Sequence, residues 1–208
     1  MKRLFSIISM CILVMLLLAA CSSQPRVARV DAGSQVDLTG RWNDSDVRMV
    51  SETLISDVLS STRVTQFIRD FSAQNGGRLP AVLVGTFRNE SSERINTGII
   101  SRSMEVAIVN SGMLDFVAGG DTREEIRGER LDQLHNASDE TIAGIGNETG
   151  AALLLTGTVN SMVERSGNTT VRSYFVNAEL TNMRDNTRIW MGSNDEIKKI
   201  IRQRNVRM

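Results

Sequence analysis

The pattern of hydrophobic and polar positions is clearest in the middle of the chain. Residues 81–87 are apolar and β-prone, which predicts a buried strand. A polar segment, residues 88–94, follows, and Asn96 is placed to cap a helix that ends at Gly112. Residues 114–117 are apolar again. The pattern predicts a strand–helix–strand unit, in which two neighbouring strands carry the helix over one face.

Two further helices are predicted before this unit. Asn43 is a suitable N-cap for the first helix, and Asp46 falls at its third helical position, beside the positive end of the helix dipole. The second helix begins near Thr62, where apolar residues recur with the i, i+3, i+4, i+7 pattern. Residues 75–77, with the sequence NGG, are expected to stop it.

Two helices are also predicted after the unit. One begins at Asp121, and the other begins at Ser138 and ends at Gly150, where a glycine cap is favourable. The apolar residues 153–159 then predict a central strand.

The last part of the chain has mostly the period of β-structure. Residues 166–168 predict a hairpin turn, and residues 174–180 alternate between apolar and polar side chains as a half-buried strand does. A second turn at 184–186 leads to a last strand at 187–191, and residues 195–204 are predicted to form a terminal helix. The whole pattern predicts a single α/β domain with a mixed β-sheet flanked by helices.

The amino terminus differs in character from this domain. Lys2 and Arg3 precede an apolar run, and residues 18–21, with the sequence LAAC, resemble the lipobox of bacterial lipoproteins. The apolar run is shorter than the about 20 residues that a transmembrane helix needs. We therefore expect residues 1–20 to be a lipoprotein signal peptide and Cys21 to be lipidated.

The expected domain organisation follows from this assignment. Residues 21–40 comprise the lipidated cysteine and a short, polar, flexible tether, and residues 41–208 form the α/β domain. Serines rather than aspartate follow Cys21. This resembles the sorting signal for the outer membrane in enteric bacteria, so we expect an outer-membrane location with the domain facing the periplasm.

Charge and cysteine content exclude several classes of function. The chain has 24 basic and 24 acidic side chains, and a balanced charge argues against nucleic-acid binding. Of the two cysteines, Cys11 belongs to the signal peptide and Cys21 to the lipid anchor. No thiol remains for a disulfide, a metal site or a nucleophile.

The remaining candidates for chemistry are weak. His135 is the only histidine, and without a G-x-S-x-G motif it is better interpreted as a solvated residue at a helix end. No calcium-loop spacing occurs, and the glycine-rich run 144–150 ends a predicted helix instead of opening one after a strand. We expect a protein that is not an enzyme and that binds no metal, cofactor or small-molecule substrate.

Two features are candidates for a protein interface. Trp42 and Trp190 are each flanked by polar residues, and each can either fill the edge of the core or contact a partner. The polar segment 88–94 leaves a strand end, where function often lies, but it can equally be a plain solvated connection.

Several segments resemble one known family. Residues 41–43, 82–117, 150–155 and 187–190 are similar to the corresponding parts of LpoB proteins, outer-membrane lipoproteins that activate a class A (bifunctional) penicillin-binding protein. The likeness covers about residues 41–193. It implies a non-catalytic domain similar to the amino-terminal domain of TolB. Such a domain binds a regulatory domain of the synthase and stimulates peptidoglycan synthesis.

The resemblance leaves the contact residues open. The candidates are residues of the polar segment and of the last predicted strand: Arg88, Asn89, Glu90, Arg94 and Trp190. The chain departs from the family in its tether, which is short and contains the single proline Pro25 where the best-known members carry a long proline-rich segment.

Two other functions are alternatives to the activator function. The first is a structural envelope lipoprotein that is related to curli-export components and assembles as an oligomer. Curli-export lipoproteins form a membrane pore and need long amphipathic hairpins to cross the bilayer, and no such segment is evident in this chain. The second is an envelope hydrolase, which the missing nucleophile and base motifs disfavour.

Overall fold

The computed structural model describes residues 29–31, 34, 37–136 and 148–202. The predicted signal peptide, Cys21 and most of the predicted tether lie outside these residues. So do most of the helix predicted from Ser138 and most of the glycine-rich run. Within the first 34 residues, Ser34 donates hydrogen bonds from its backbone N–H and its hydroxyl to the Asp31 carbonyl, at 3.0 and 2.7 Å.

The described residues form four helices and six strands. The helices are α1 (Asp44–Ser60), α2 (Thr62–Gln74), α3 (Gly98–Ser111) and α4 (Gly120–Asn136). The strands are β1 (Ala81–Asn89), β2 (Asp115–Phe116), β3 (Leu153–Ser166), β4 (Thr169–Asn182), β5 (Arg188–Asn194) and β6 (Lys198–Arg202).

The strands make one mixed sheet in the order β2-β1-β3-β4-β5, and β6 also pairs with β4. β1 is parallel to β2 and to β3, whereas β4 is antiparallel to β3, β5 and β6. Helices α1 and α2 pack on β5, α3 packs on β1 and β2, and α1 packs on α3. The prediction of a mixed α/β domain is confirmed.

The beginning of α1 has the predicted cap. The Asn43 side-chain oxygen accepts a hydrogen bond from the Asp46 N–H at 3.1 Å, and an Asp46 carboxylate oxygen accepts one from the Asn43 N–H at 2.9 Å. This reciprocal capping box satisfies two backbone donors that a helix start leaves without partners. The second predicted helix is also present, and Gly76 and Gly77, both with positive φ, follow its end.

The predicted strand–helix–strand unit is confirmed with small shifts. β1 continues to Asn89, so Arg88 and Asn89 lie in the strand and not in the loop after it. α3 begins at Gly98, whose N–H donates to the Asn96 side chain at 3.2 Å. The helix ends at Gly112, which adopts the left-handed conformation with φ 62°.

The predicted β3–β4 hairpin is confirmed as well. The turn contains Gly167 with φ 55°, and Ser166 pairs with Thr169. The alternate β4 side chains Tyr174, Val176, Ala178 and Leu180 are buried. The strand therefore contributes its apolar face to the core, as its period-two pattern predicted.

The predicted terminal helix is wrong, because residues 198–202 form strand β6. β5 pairs with residues 176–181 of β4 and leaves the earlier part of that edge open, and β6 pairs with residues 169–173. Lys199 is buried while its neighbours Lys198 and Ile200 are exposed, which is the period of a strand. The backbone hydrogen bonds gained along the open edge of β4 outweighed the local helix propensity of these residues.

Helix α4 differs from the other helices in its burial. None of its residues is buried, whereas α1, α2 and α3 all bury an apolar face. Three of its arginines approach Glu148, with Arg127 the nearest at 2.8 Å and Arg123 and Arg130 at 3.8 and 4.0 Å. The hydrogen bond from Arg127 holds the pKa of Glu148 below its usual range.

Candidate functional site

Two concave surfaces flank the connection between β1 and α3, here called the β1–α3 loop (residues 90–97). One is an apolar groove between α1 and α3. The other is a cleft lined by arginines beside the β3–β4 hairpin. Arg94 of the loop lines both surfaces. These two surfaces, with the loop between them, form the candidate functional site.

The apolar groove has a volume of about 750 Å³. Its apolar lining comes from α1, α3, the loop and the residues before α1: Trp42, Val47, Ile55, Ile95, Ile99, Val106 and Ala107. Ile99 and Val106 are 51% and 48% exposed, so the groove opens to solvent along α3. Large apolar side chains that stay this exposed mark a surface suited to a protein partner.

The rim of the groove is polar. Arg48 lies 3.6 Å from Asp44 on α1, and Arg102 lies 2.8 Å from Glu105 on α3. Among the residues that the structure describes, Arg94 has no such carboxylate partner. An apolar floor with a charged rim is the usual anatomy of a protein interface.

The second surface, here called the arginine cleft, has a volume of about 590 Å³. Its lining residues are Arg41, Ser92, Glu93, Arg94, Val163, Arg165 and Arg172. Glu93 forms an ion pair with Arg172, and both side chains are largely buried. The lining therefore carries four positive charges against one negative charge.

Asn89 fixes the shape of the β1–α3 loop. Its side-chain amide donates to the carbonyls of Glu93 and Ile95, at 2.7 and 3.4 Å. Its side-chain oxygen accepts hydrogen bonds from the Ser91 N–H and hydroxyl, at 3.0 and 2.6 Å. This asparagine, predicted as a contact residue, thus bonds to backbone groups and to the Ser91 hydroxyl of its own loop, in an arrangement that resembles an Asx turn.

Contacts with the sheet and the core hold the loop in place. The Glu90 N–H donates to the Val159 carbonyl at 2.8 Å, and the Ser92 N–H donates to the Ser161 hydroxyl at 3.2 Å. Ile95 is buried in the core. The loop therefore presents Arg94 from a fixed backbone, which lowers the entropy lost on binding.

Trp42 connects the groove to the cleft. Its ring meets Tyr174 edge to face, with the centroids 5.3 Å apart and the planes at 67°. Its backbone N–H donates a hydrogen bond to a carboxylate oxygen of Glu93 at 3.4 Å. Trp42 thus packs half-buried against the core and also lines the groove.

Tyr174, which contacts the Trp42 ring, is fully buried. Burial raises the pKa of its hydroxyl, and the nearby positive charges of Arg172 and Arg41 act in the opposite direction.

We expect Tyr174 to ionise only above pH 10, its ordinary pKa. The chain contains a single tyrosine, so the ultraviolet absorbance of tyrosinate during an alkaline titration reports this residue alone. Because the folded pKa is raised, the linked stability is present below about pH 10 and is lost as the pH rises through the folded value. The chain unfolded in urea is the control, and a folded midpoint at or below that of the unfolded chain would contradict the expectation.

The other predicted contact residues line neither the groove nor the cleft. Arg88 is exposed, and its Nε lies 3.6 Å from a carboxylate oxygen of Glu90. Glu90 also accepts a hydrogen bond from the Asn160 side chain at 3.4 Å. Among the predicted contact residues, Arg94 is the one that lines the groove and the cleft.

Trp190, also proposed as a contact residue, is buried with 7% exposure. Its indole N–H donates to an Asp57 carboxylate oxygen at 3.1 Å. The ring fills the core edge between β5 and α1, as the alternative interpretation of the tryptophans held. Its side chain offers a partner no accessible surface.

Sequence analysis missed most residues of both surfaces. The apolar pattern of α3 did contain a signal, since Ile99 and Val106 lie on a second apolar face beside the buried Ile100, Met104 and Ile108. Arg165 and Arg172 gave no signal, because only the pairing of β3 with β4 brings them together.

The other candidates for chemistry stay isolated. His135 is exposed near the end of α4, and its Nδ1 lies 2.9 Å from the Leu131 carbonyl. Within residues 37–136 and 148–202 there is no group of three or more His, Cys, Asp or Glu side chains that could hold a metal ion. Among the helices described, none has the length and apolar character of a membrane span.

Comparison with protein families decides the identity of the domain. The family profile described as "Peptidoglycan-synthase activator LpoB" matches residues 46–196, which include most of α1, the β1–α3 loop and strands β1 to β5. The chain belongs to the LpoB family. The resemblance noted in the sequence is thereby confirmed. A search of curated protein sequences finds no significant match.

Solved structures of LpoB and of other lipoproteins are similar to this chain. The NMR structure of Escherichia coli LpoB shares 16% identity, with 88% of this chain and 87% of that chain covered and a TM-score of 0.38. The LpoB C-terminal domain from Salmonella enterica shares 16% identity, with coverages of 67% and 96% and a TM-score of 0.34. Lipoprotein GNA1162 from Neisseria meningitidis shares 19% identity, with coverages of 61% and 88% and a TM-score of 0.39. The similarity to TolB stays a prediction.

Proposed function

We propose that this LpoB-family protein binds the regulatory domain of a class A penicillin-binding protein and raises its synthetic activity. The family match over residues 46–196 carries this proposal. In the proposal the protein is not itself an enzyme. Residues 1–20 are its signal peptide, Cys21 bears the lipid, and residues 21–40 tether the domain 41–208 to the periplasmic face of the outer membrane.

The apolar groove and Arg94 are the proposed contact surface. The groove combines exposed apolar side chains, a charged rim and a neighbouring loop whose backbone is fixed by hydrogen bonds. Apolar anchors surrounded by polar side chains are where binding energy concentrates in protein interfaces. Arg94 adds a guanidinium group at the edge of the groove, where a carboxylate of the partner can reach it.

The proposed mechanism is a shift in the conformational equilibrium of the synthase. The LpoB-family domain binds the active conformation of the enzyme more tightly than the inactive one, and it raises the active population by the ratio of the two affinities. No group of this domain takes part in the chemical step. The expected kinetic effect is therefore a higher rate at saturation of the activator, with the substrate chemistry unchanged.

The test uses the full chain with each class A penicillin-binding protein of the same organism. Binding and glycan-polymerisation rate are measured in the same titration. We expect saturable binding together with a faster rate. Val106→Glu, which places a charge in the groove, is expected to weaken binding at least tenfold, as loss of a central apolar contact does.

Val109→Glu is the matched control. Val109 lies on the same helix and is 54% exposed, but it does not line the groove. We expect this variant to bind within about twofold of the natural protein, since exposed substitutions outside an interface have small effects. Equal weakening by both substitutions would contradict the groove as the contact surface. Absence of binding to every class A enzyme would contradict the activator function itself.

A further inference from the structure

The arginine cleft has more positive charge than its own acidic group can neutralise. Glu93 pairs with Arg172. Within the described part of the chain, Arg41, Arg94 and Arg165 form no ion pair with a carboxylate. Three guanidinium groups thus line one cavity of about 590 Å³ without a carboxylate partner. Such a concentration of one sign of charge in a concave site attracts anions.

Arg172 is held in place but still has a donor to offer. Its ion pair with Glu93 fixes the guanidinium group, and its Nε is buried without a hydrogen-bond partner in the described structure. A buried donor without an acceptor destabilises the protein until an acceptor reaches it. Arg172 therefore combines a fixed position with unused hydrogen-bonding capacity.

The arginines stand on four parts of the fold that are all anchored. Arg172 is directly opposite Val163 across the β3–β4 hairpin, and Arg165 lies two residues further along β3 on the same face. The carbonyl of Arg41 accepts a hydrogen bond from Lys199 Nζ at 2.9 Å. Arg94 belongs to the β1–α3 loop, which Asn89 fixes. The cleft is thus preorganised and does not have to assemble around a ligand.

We propose that the arginine cleft binds an oxyanion of the phosphate type. The planar guanidinium group presents paired N–H donors that match the oxygens of phosphate. A phosphate group carries up to two negative charges and several acceptor oxygens, so it can engage more than one arginine at once. The source of the phosphate is either free phosphate or the headgroup of an anionic phospholipid.

Calorimetric titration of the full chain in an uncharged detergent tests this inference. The first probe is inorganic phosphate, and the second is acetate at the same ionic strength. We expect saturable binding of phosphate at least tenfold tighter than that of acetate. Binding of the two anions with the same affinity would overturn the proposal, since it would indicate general attraction between charges.

Two exposed arginines of the cleft supply the variants. Arg165→Gln and Arg94→Gln are each expected to weaken phosphate binding at least fivefold. Arg69→Gln is the matched control, because Arg69 is exposed on α2, which does not line the cleft. We expect this control to bind as the natural protein does. Equal weakening in all three variants, or no saturable binding in any of them, would overturn the proposal.

Competition with glycerophosphoglycerol, the soluble headgroup diester of phosphatidylglycerol, distinguishes the two sources. Displacement of phosphate by the diester supports a lipid headgroup as ligand, and failure to displace it supports free phosphate. The inference does not depend on the proposed synthase partner. Val106→Glu is expected to leave phosphate binding unchanged, so failure of one proposal is distinguishable from failure of the other.

Discussion

Replacement of Lys199 by methionine is expected to lower the free energy of unfolding by about 3–5 kcal/mol, measured by urea denaturation. The Lys199 ammonium lies 2.6 Å from a carboxylate oxygen of Asp46 and 2.6 Å from one of Asp37. Asp46 is only 2% exposed. Methionine keeps the length of the side chain but leaves that carboxylate buried without its cation, which is the costly way to break a buried pair.

Lys198→Met is the matched control, because Lys198 is the exposed neighbour on the same strand. Its expected effect is within about 0.5 kcal/mol. A double variant that adds Asp46→Asn removes the uncompensated charge, so the two effects should be less than additive. Full additivity, or equal losses for the two lysine variants, would show that the buried pair does not stabilise the fold.

The contacts of Lys199 matter for the candidate site as well as for stability. This side chain joins β6 to the segment that enters α1 and holds the Arg41 carbonyl beside the arginine cleft. The Lys199→Met variant should therefore also weaken phosphate binding, although no residue of the cleft itself is changed. Lys199 does not line the groove, so binding of a synthase through Val106 should be affected less.

Gly157→Ala is expected to destabilise the domain by about 3 kcal/mol, the upper part of the usual range for overpacking. A Cβ atom at Gly157 would lie 2.3 Å from a ring carbon of Phe87 and 2.5 Å from the Asn177 carbonyl oxygen. Phe87 is fully buried, and the carbonyl belongs to the adjacent strand β4. Neither group can move without disturbing the sheet or the core, so the change should lower the urea midpoint.

Gly128→Ala is the control, and its expected effect on stability has the opposite sign. Nothing lies within 4 Å of a Cβ atom at Gly128, which is in the exposed helix α4. Alanine is a better helix former than glycine, so this variant should be unaffected or more stable by up to about 1 kcal/mol. A loss at Gly128 as large as that at Gly157 would contradict crowding by Phe87 as the cause of the effect.

The two proposed surfaces share the β1–α3 loop, and this gives Arg94 a special position. It borders the apolar groove proposed for the synthase and the arginine cleft proposed for phosphate. A ligand in the cleft competes with a carboxylate of the partner for the same guanidinium group. The Arg94→Gln variant should therefore affect both measurements, whereas Arg165→Gln should affect phosphate binding alone.

Local elements with short-range signals could be predicted from the sequence. The capping box of Asn43 and Asp46, the left-handed Gly112 and the Gly167 turn all depend on residues within a few positions of one another. The alternation along β4 also identified its buried face correctly. Propensity, capping and period act within one element, so they can be recognised without knowledge of the tertiary structure.

The tertiary structure alone decided the features that join distant parts of the chain. Residues 198–202 became a strand because β4 offered an open edge there, not because of their local preference. Trp190 became a core residue because β5 packs against α1, which also supplies Asp57 as an acceptor for its indole N–H. Burial and backbone pairing depend on what packs nearby, which the local sequence does not specify.

The candidate site likewise combines features that the local sequence predicts with features that depend on packing. The sequence predicts the polar segment 88–94 as a candidate contact surface, but the hydrogen bonds by which Asn89 holds its own loop are not visible in the sequence. The groove exists only where α1 packs beside α3, and the cleft only where the β3–β4 hairpin meets the loop. Local chemistry identified the loop, and long-range packing determined which of its side chains line the groove and the cleft.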